Sequence, residues 1–246
     1  MADEVKSIDT RTNEGFARVG AEFKSVRAKI VAGGQATSAD KVSYGDKTVQ
    51  QALDDLNYKA IAINSFTNDV GTVEMGSTVT DVTLSYSFNK TAKSLTLDGT
   101  AIDVASTKQV LTGLTITANK TYTLTATDDR DAKATKTTSI SFLNGCYYGV
   151  GTVDVDGADK AFVAGLTKVL SGSRARTIDV TAGEGEFIYY AIPHRLGTPS
   201  FTVGGFEGGF SLLKTFDYEN PAGYTESYDV YKSTNANLGA TKVVIA

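Results

Sequence analysis

Between Phe66 and Gly145 apolar residues recur at every second position, a period that strands produce and helices do not. In DVTLSYSF, Val82, Leu84, Tyr86 and Phe88 fall on one side, and Asp81, Thr83, Ser85 and Ser87 on the other. In KTYTLTAT, Tyr122, Leu124 and Ala126 alternate with Thr123, Thr125 and Thr127. Leu95 with Leu97, and Ile140 with Phe142, repeat the pattern. Turn signals punctuate it at Asn89-Lys90, Asp98-Gly99, Asn119-Lys120 and the run from Asp128 to Asp131.

Short half-buried strands at that spacing predict a small two-sheet sandwich of immunoglobulin type over 66–145. The chain holds thirty-three threonines and three prolines, and threonine on the solvent side of strands accounts for much of the former. Its 246 residues allow one large domain or two to three small ones. A formal charge of −4 and a pI near 5.1 argue against nucleic-acid binding. A lone cysteine, Cys146, excludes an internal disulfide and a cysteine-based zinc cluster. The opening MADEVKSIDT is polar and acidic, unlike a secretory signal, and no apolar run approaches the ~18 residues of a membrane helix, so no membrane partner is expected.

Residues 1–65 carry the helical signal. Val5, Ile8, Thr12, Phe16, Val19, Phe23, Val26 and Ile30 are spaced 3, 4, 4, 3, 4, 3 and 4, which from Phe16 onward is the rhythm of a coiled coil. Arg18, Glu22, Lys24, Arg27 and Lys29 fill the other faces, and Gly33 with Gly34 stops the helix. Gly15 and Gly20 each weaken it by about 1 kcal/mol relative to alanine, so it needs a partner: its own domain or copies of itself. Thr48-Val-Gln-Gln51 reads as a capping box opening a second, short helix with Val49, Ala52, Leu53 and Leu56 on one face. Residues 146–246 read as a looser C-terminal β domain with aromatic-rich strands and the tandem GGFEGGF from Gly204 to Phe210. The stretch from Lys160 to Leu170 fits a short helix or two turns and a strand. The fold expected is mainly β: a helical oligomerisation region, an Ig-like sandwich and a C-terminal β domain.

No catalytic constellation is legible, and no cofactor is expected. Asp128, Asp129 and Asp131 sit where a hairpin turns, and the glycine and distal glutamate of a calcium loop are missing. Asp154, Asp156 and Asp159 resemble an oxygen-ligand loop slightly more, though Asp156-Gly157 is also a plain turn dipeptide. His194 is the only histidine and has no nucleophile motif before it, so a loop or subunit contact is expected. GGFEGGF lies in β context, not at the strand-to-helix turn of a dinucleotide loop.

Three stretches carry a resemblance. TSADKVSYGDKTVQQALDDL resembles the connector of many tailed-phage fibre and baseplate proteins. FTNDVGTVEMGSTVTDVTLSYSFNKTAKSLTLDGTAI and KTYTLTATDDRDAKATKTTSISFLNG resemble an Ig-like module of structural proteins from phages of gut bacteria. YYAIPHRLGTPSFTVGGFEGGF and YTESYDVYKSTNANLG resemble the end domain that follows it. The resemblance implies a virion appendage made in the host bacterial cytoplasm, a head fibre or tail fibre that is usually a homotrimer. Its implied partners are other virion proteins of capsid, collar or tail, and a host surface glycan. Phe16, Val19, Phe23, Val26 and Ile30 would form the oligomer interface. A carbohydrate-binding module is the alternative, with Tyr189, Tyr190, Tyr224, Tyr228 and Tyr231 as an exposed sugar platform.

Overall fold

The structure, a computed structural model, describes residues 8–32 and 38–246, with side chains from 13–27 and 38–246. Val5, Gly33 and Gly34 lie outside the described residues, as do the side chains of Ile8, Thr12 and Ile30. The chain divides into two compact units, Met1–Lys59 and Ala60–Ala246.

In the first unit, α1 runs Ile8–Ala32. After a single 3₁₀ turn at Ala39–Lys41 come β1 (Ser43–Tyr44) and β2 (Lys47–Thr48), paired antiparallel. Gly45 at the hairpin tip takes φ +62°, which an L side chain resists. Helix α2 (Val49–Leu56) starts at the expected capping box. The Gln51 amide donates to Thr48 Oγ1 at 3.2 Å, and the Thr48 amide donates back to Gln51 Oε1 at 2.8 Å. Two otherwise orphaned donors are thereby satisfied, and the helix entry is fixed against the hairpin.

The second unit begins with the sandwich: β3 (Ile63–Asn68), β4 (Thr72–Glu74), β5 (Val82–Phe88), β6 (Ser94–Leu97), β7 (Thr100–Ile102), β8 (Lys108–Leu111), β9 (Lys120–Thr127) and β10 (Lys133–Gly151). One sheet has the order β3-β5-β8. The other runs β10-β9-β6-β7, with β4 added parallel to β10. That arrangement is the ABE sheet facing the CFG sheet of an immunoglobulin sandwich. The alternation drives it: Val82, Leu84 and Tyr86 from one sheet meet Leu95, Leu124 and Phe142 from the other in one core. The intervening threonines face outward and pair across strands, Thr125 Oγ1 lying 3.3 Å from Thr135 Oγ1 and Thr121 Oγ1 2.8 Å from Ser139 Oγ. Asp98 (φ 48°) and Gly99 (φ 83°) make the two-residue turn between β6 and β7. Ile61 is buried in the core and Ile63 packs against it, so the fold of this unit reaches back to Ala60.

Strand β10 does not end with the sandwich. Its first part pairs with β9, and from Asn144 onward it pairs with strands of the C-terminal region. Gly145 and Cys146 are consecutive residues inside this one strand. Beyond it lie α3 (Lys160–Gly165), β11 (Thr167–Ser171), β12 (Arg176–Ala182), β13 (Phe187–Pro193), β14 (Phe201–Val203), β15 (Phe206–Glu207), β16 (Phe210–Glu219), β17 (Thr225–Ser233) and β18 (Gly239–Ile245). The stretch that fitted either element is thus a helix followed by a strand. Asp159 caps α3, accepting from the Phe162 amide at 2.9 Å.

Here β16-β17-β13-β10 forms a middle layer. On one side the sheet β12-β18-β14-β15 covers a core of Ile188, Tyr190, Ile192, Phe201, Tyr231 and Val243. On the other side Val163 and Phe162 of α3 close a second core with Tyr147, Tyr189, Tyr218 and Tyr228. A strand covered on both faces loses alternation, which is why FIYYAI in β13 is a continuous apolar run.

Candidate functional site

Among the described residues of the first unit, the apolar row on α1 is left partly open. Phe16 is 56% exposed and Phe23 40%, while Val19 and Val26 are half-buried. Val19, Glu22, Phe23 and Val26 form one wall of a groove of about 150 Å³. Tyr44 and the α2 residues Val49, Ala52, Leu53 and Leu56 form the other. Leu56 at 59% and Tyr44 at 44% exposure leave that wall open as well. The fifth residue of the expected interface, Ile30, lies outside the described side chains. Gly15 and Gly20 have nothing within 4 Å of where a Cβ would sit, so neither is required by close packing in the single chain.

The tyrosine platform is not a surface. Tyr189 and Tyr190 are fully buried, Tyr228 and Tyr231 nearly so, and only Tyr224, at 38%, is exposed. Their hydroxyls hold the interior together. Tyr190 donates to Arg174 O at 2.7 Å, Tyr228 to Gly145 O at 2.8 Å, and Tyr189 to Val153 O. Burial pushes the Tyr189 phenol up to about 12, with the nearby Asp154 charge adding to it. Burial likewise raises those of Tyr190, Tyr228 and Tyr231. Sugar stacking by these four is corrected to core packing: β13 and β17 are inner strands of a three-layer stack. The uninterrupted FIYYAI is the signal for that.

The acidic stretches are turn chemistry. Asp128 is fully buried, 2.7 Å from Lys90 Nζ. It accepts from the amides of Ile61 (3.2 Å), Arg130 (2.9 Å) and Ala132 (3.0 Å). Asp131 closes the turn at φ 60° and meets Lys93 at 2.8 Å. In the second stretch Asp154 accepts from the amides of Asp156 and Gly157, which pulls its carboxyl below the usual range, and Asp159 caps α3. Among the described residues no three His, Cys, Asp or Glu side chains are grouped to hold a metal.

His194 sits in a 3₁₀ turn after β13. Its Nδ1 lies 2.9 Å from both oxygens of the buried Asp229, which also accepts from Thr215 Oγ1 at 2.7 Å. Beside it Arg195 Nε meets Glu226 at 2.6 Å. Two consecutive basic residues are thus fastened to carboxylates of β17, an intrachain loop contact. Cys146 is buried and free, and burial raises its thiol.

One exposed aromatic was not singled out from sequence. Phe206, 81% exposed, stands on the β14–β15 hairpin between Gly204, Gly205, Gly208 and Gly209, all at positive φ. By register it continues the row Ile178, Val243, Val203 that faces the core, but it overhangs the sheet edge. The repeated Gly-Gly-Phe was its signal, since paired glycines fix a turn that side chains resist.

No family model matches the chain, and no curated protein matches it. Solved structures that match include the N-terminal eight Ig domains of Down Syndrome Cell Adhesion Molecule isoform 1.30.30. That match has 12% identity and a TM-score of 0.23, over 74% of this chain and 25% of that one. Chitinase ChiA74 from Bacillus thuringiensis matches at 12% identity and TM-score 0.23, over 86% and 32%. The Bacteroides ovatus mixed-linkage glucan utilization locus protein SGBP-B, solved with a mixed-linkage heptasaccharide, matches at 15% identity and TM-score 0.20, over 76% and 52%. The chain spans between 25% and 52% of the length of these three structures. At such TM-scores the likeness decides nothing, and the sandwich is identified by its own strand order.

Proposed function

We propose that this chain is a non-enzymatic structural and adhesion protein of a tailed-bacteriophage virion, a short homotrimeric head fibre or tail-tip fibre. The observation that carries the reading is the apolar row of α1, set at coiled-coil spacing, with Phe16 and Phe23 exposed and Val19 and Val26 half-buried among the described residues. An isolated helix of this kind is marginal in water, so the seam demands a cover, and copies of the chain supply it. The connector and Ig-like resemblances support the phage assignment. In this reading the first unit joins the copies and docks on capsid, collar or tail proteins, and the β unit contributes to host-surface adhesion. Gold-labelled antibody against residues 60–246 should decorate particles of the producing phage at discrete sites on head or tail. Unlabelled particles with normal protein content elsewhere in the lysate would refute the virion assignment.

Carbohydrate binding is a second reading, favoured by Phe206. An exposed ring on a glycine-defined hairpin offers a stacking face. Glycan-array binding lost in Phe206→Ala would support it; an array silent for the wild type would remove it.

A further inference from the structure

The α1 row has a polarity that the apolar residues alone do not reveal. With Phe16 and Phe23 at heptad position a, Val19 and Val26 fall at d. Glu22 then occupies g of one heptad and Arg27 occupies e of the next, five residues on. Both are exposed in the single chain. In parallel helices in register, g of one chain faces the following e of its neighbour, so Glu22 meets Arg27 at every interchain contact. In an antiparallel arrangement g faces g and e faces e, which brings Glu22 toward its own copy and leaves Arg27 without a carboxylate. Glu22 also stands in the wall of the groove between α1 and α2, beside Phe23 and Val26. The pair therefore lies at the edge of the apolar surface that needs covering.

We infer that the occupant of this groove is α1 of a second copy of the chain, parallel and in register, with Glu22 of each copy paired to Arg27 of the next. The inference rests on the self-associating reading above and adds its direction and register. The seam supplies the attraction, and the charge pair selects the orientation.

The test is made on the full chain. Glu22→Arg and Arg27→Glu should each lower the association constant roughly tenfold or more, because each opposed pair becomes a repulsion repeated around the assembly. Glu22→Arg combined with Arg27→Glu should restore wild-type association. Val26→Cys should form a same-residue interchain disulfide under mild oxidation, the native thiol at Cys146 being buried. Both substitutions and the introduced cysteine lie in the first unit, so unchanged near-UV circular dichroism reports that the β unit still folds. Swap recovery together with the Val26→Cys link supports the inference. An oligomer indifferent to both charge reversals and without that link overturns the parallel register while leaving self-association standing. A monomer in every variant and in the wild type overturns both.

Discussion

Replacing Asp128 by alanine separates turn chemistry from metal chemistry in the acidic hairpin. The substitution removes a carboxylate that is fully buried and bound by Lys90 at 2.7 Å and by three backbone amides. Hydrogen bonds to a charged group contribute about 1.5–3 kcal/mol each, so simple addition over the three amides gives roughly 4.5–9 kcal/mol. That sum is too large, because the Arg130 and Ala132 amides sit on an exposed turn and can recover water. The Ile61 amide is buried and cannot. The expected loss is therefore about 3–5 kcal/mol, the range for a buried ion pair that loses one partner. Asp128→Asn keeps one acceptor oxygen and should lose about half as much. Urea unfolding of the full chain, followed by tyrosine fluorescence, reads both values from the shift in midpoint at constant slope. Millimolar calcium should leave the wild-type midpoint unchanged. A loss below about 1 kcal/mol in Asp128→Ala, or a midpoint that rises with calcium, would refute the assignment.

Other consequences follow from single contacts. A Cβ at Gly145 would lie 2.7–2.8 Å from the Tyr147 ring, so Gly145→Ala should cost about 1–3 kcal/mol through overpacking, measured by the same unfolding assay. Thr48→Ala removes the capping box of α2 and should lose about 1 kcal/mol of helix stability, seen as reduced far-UV helicity of the first unit, with Thr48→Ser close to wild type. The buried tyrosines predict alkaline unfolding. Their folded pKa values are raised, so the unfolded chain releases protons first, and stability is complete below pH 10 and declines as pH rises toward about 12 for Tyr189. Phenolate absorbance should accordingly appear in two steps, the buried set ionising only as the fold is lost; one smooth titration near the ordinary tyrosine value would contradict it.

Much of the fold is legible because period and turn chemistry are local. The alternation from Val82 to Phe88 and from Tyr122 to Ala126 places those residues in the sandwich core, and Thr48 with Gln51 marks the start of α2. What the sequence conceals is set by layers that meet only in three dimensions. Tyr189 and Tyr190 read as surface aromatics until a sheet covers one and α3 the other. The passage of β10 from the sandwich into the next sheet is hidden because Gly145 and Cys146 resemble a break in pattern, while both are interior strand positions. Helix α3, six residues long, is too short to establish a period. Phe206 escapes notice for the opposite reason: its register puts it in a core-facing row, and its place on the edge strand of the sheet leaves it in solvent.

The central claim is that the chain assembles through its first unit. Light scattering on the full chain and on residues 60–246 tests it directly, since that boundary keeps Ile61 and β3 in the sandwich. The account predicts a trimer that falls to a monomer on truncation, and a full chain carrying Phe23→Asp that also falls to a monomer. A full-length monomer at all concentrations, or an oligomer that survives removal of residues 1–59, would contradict it.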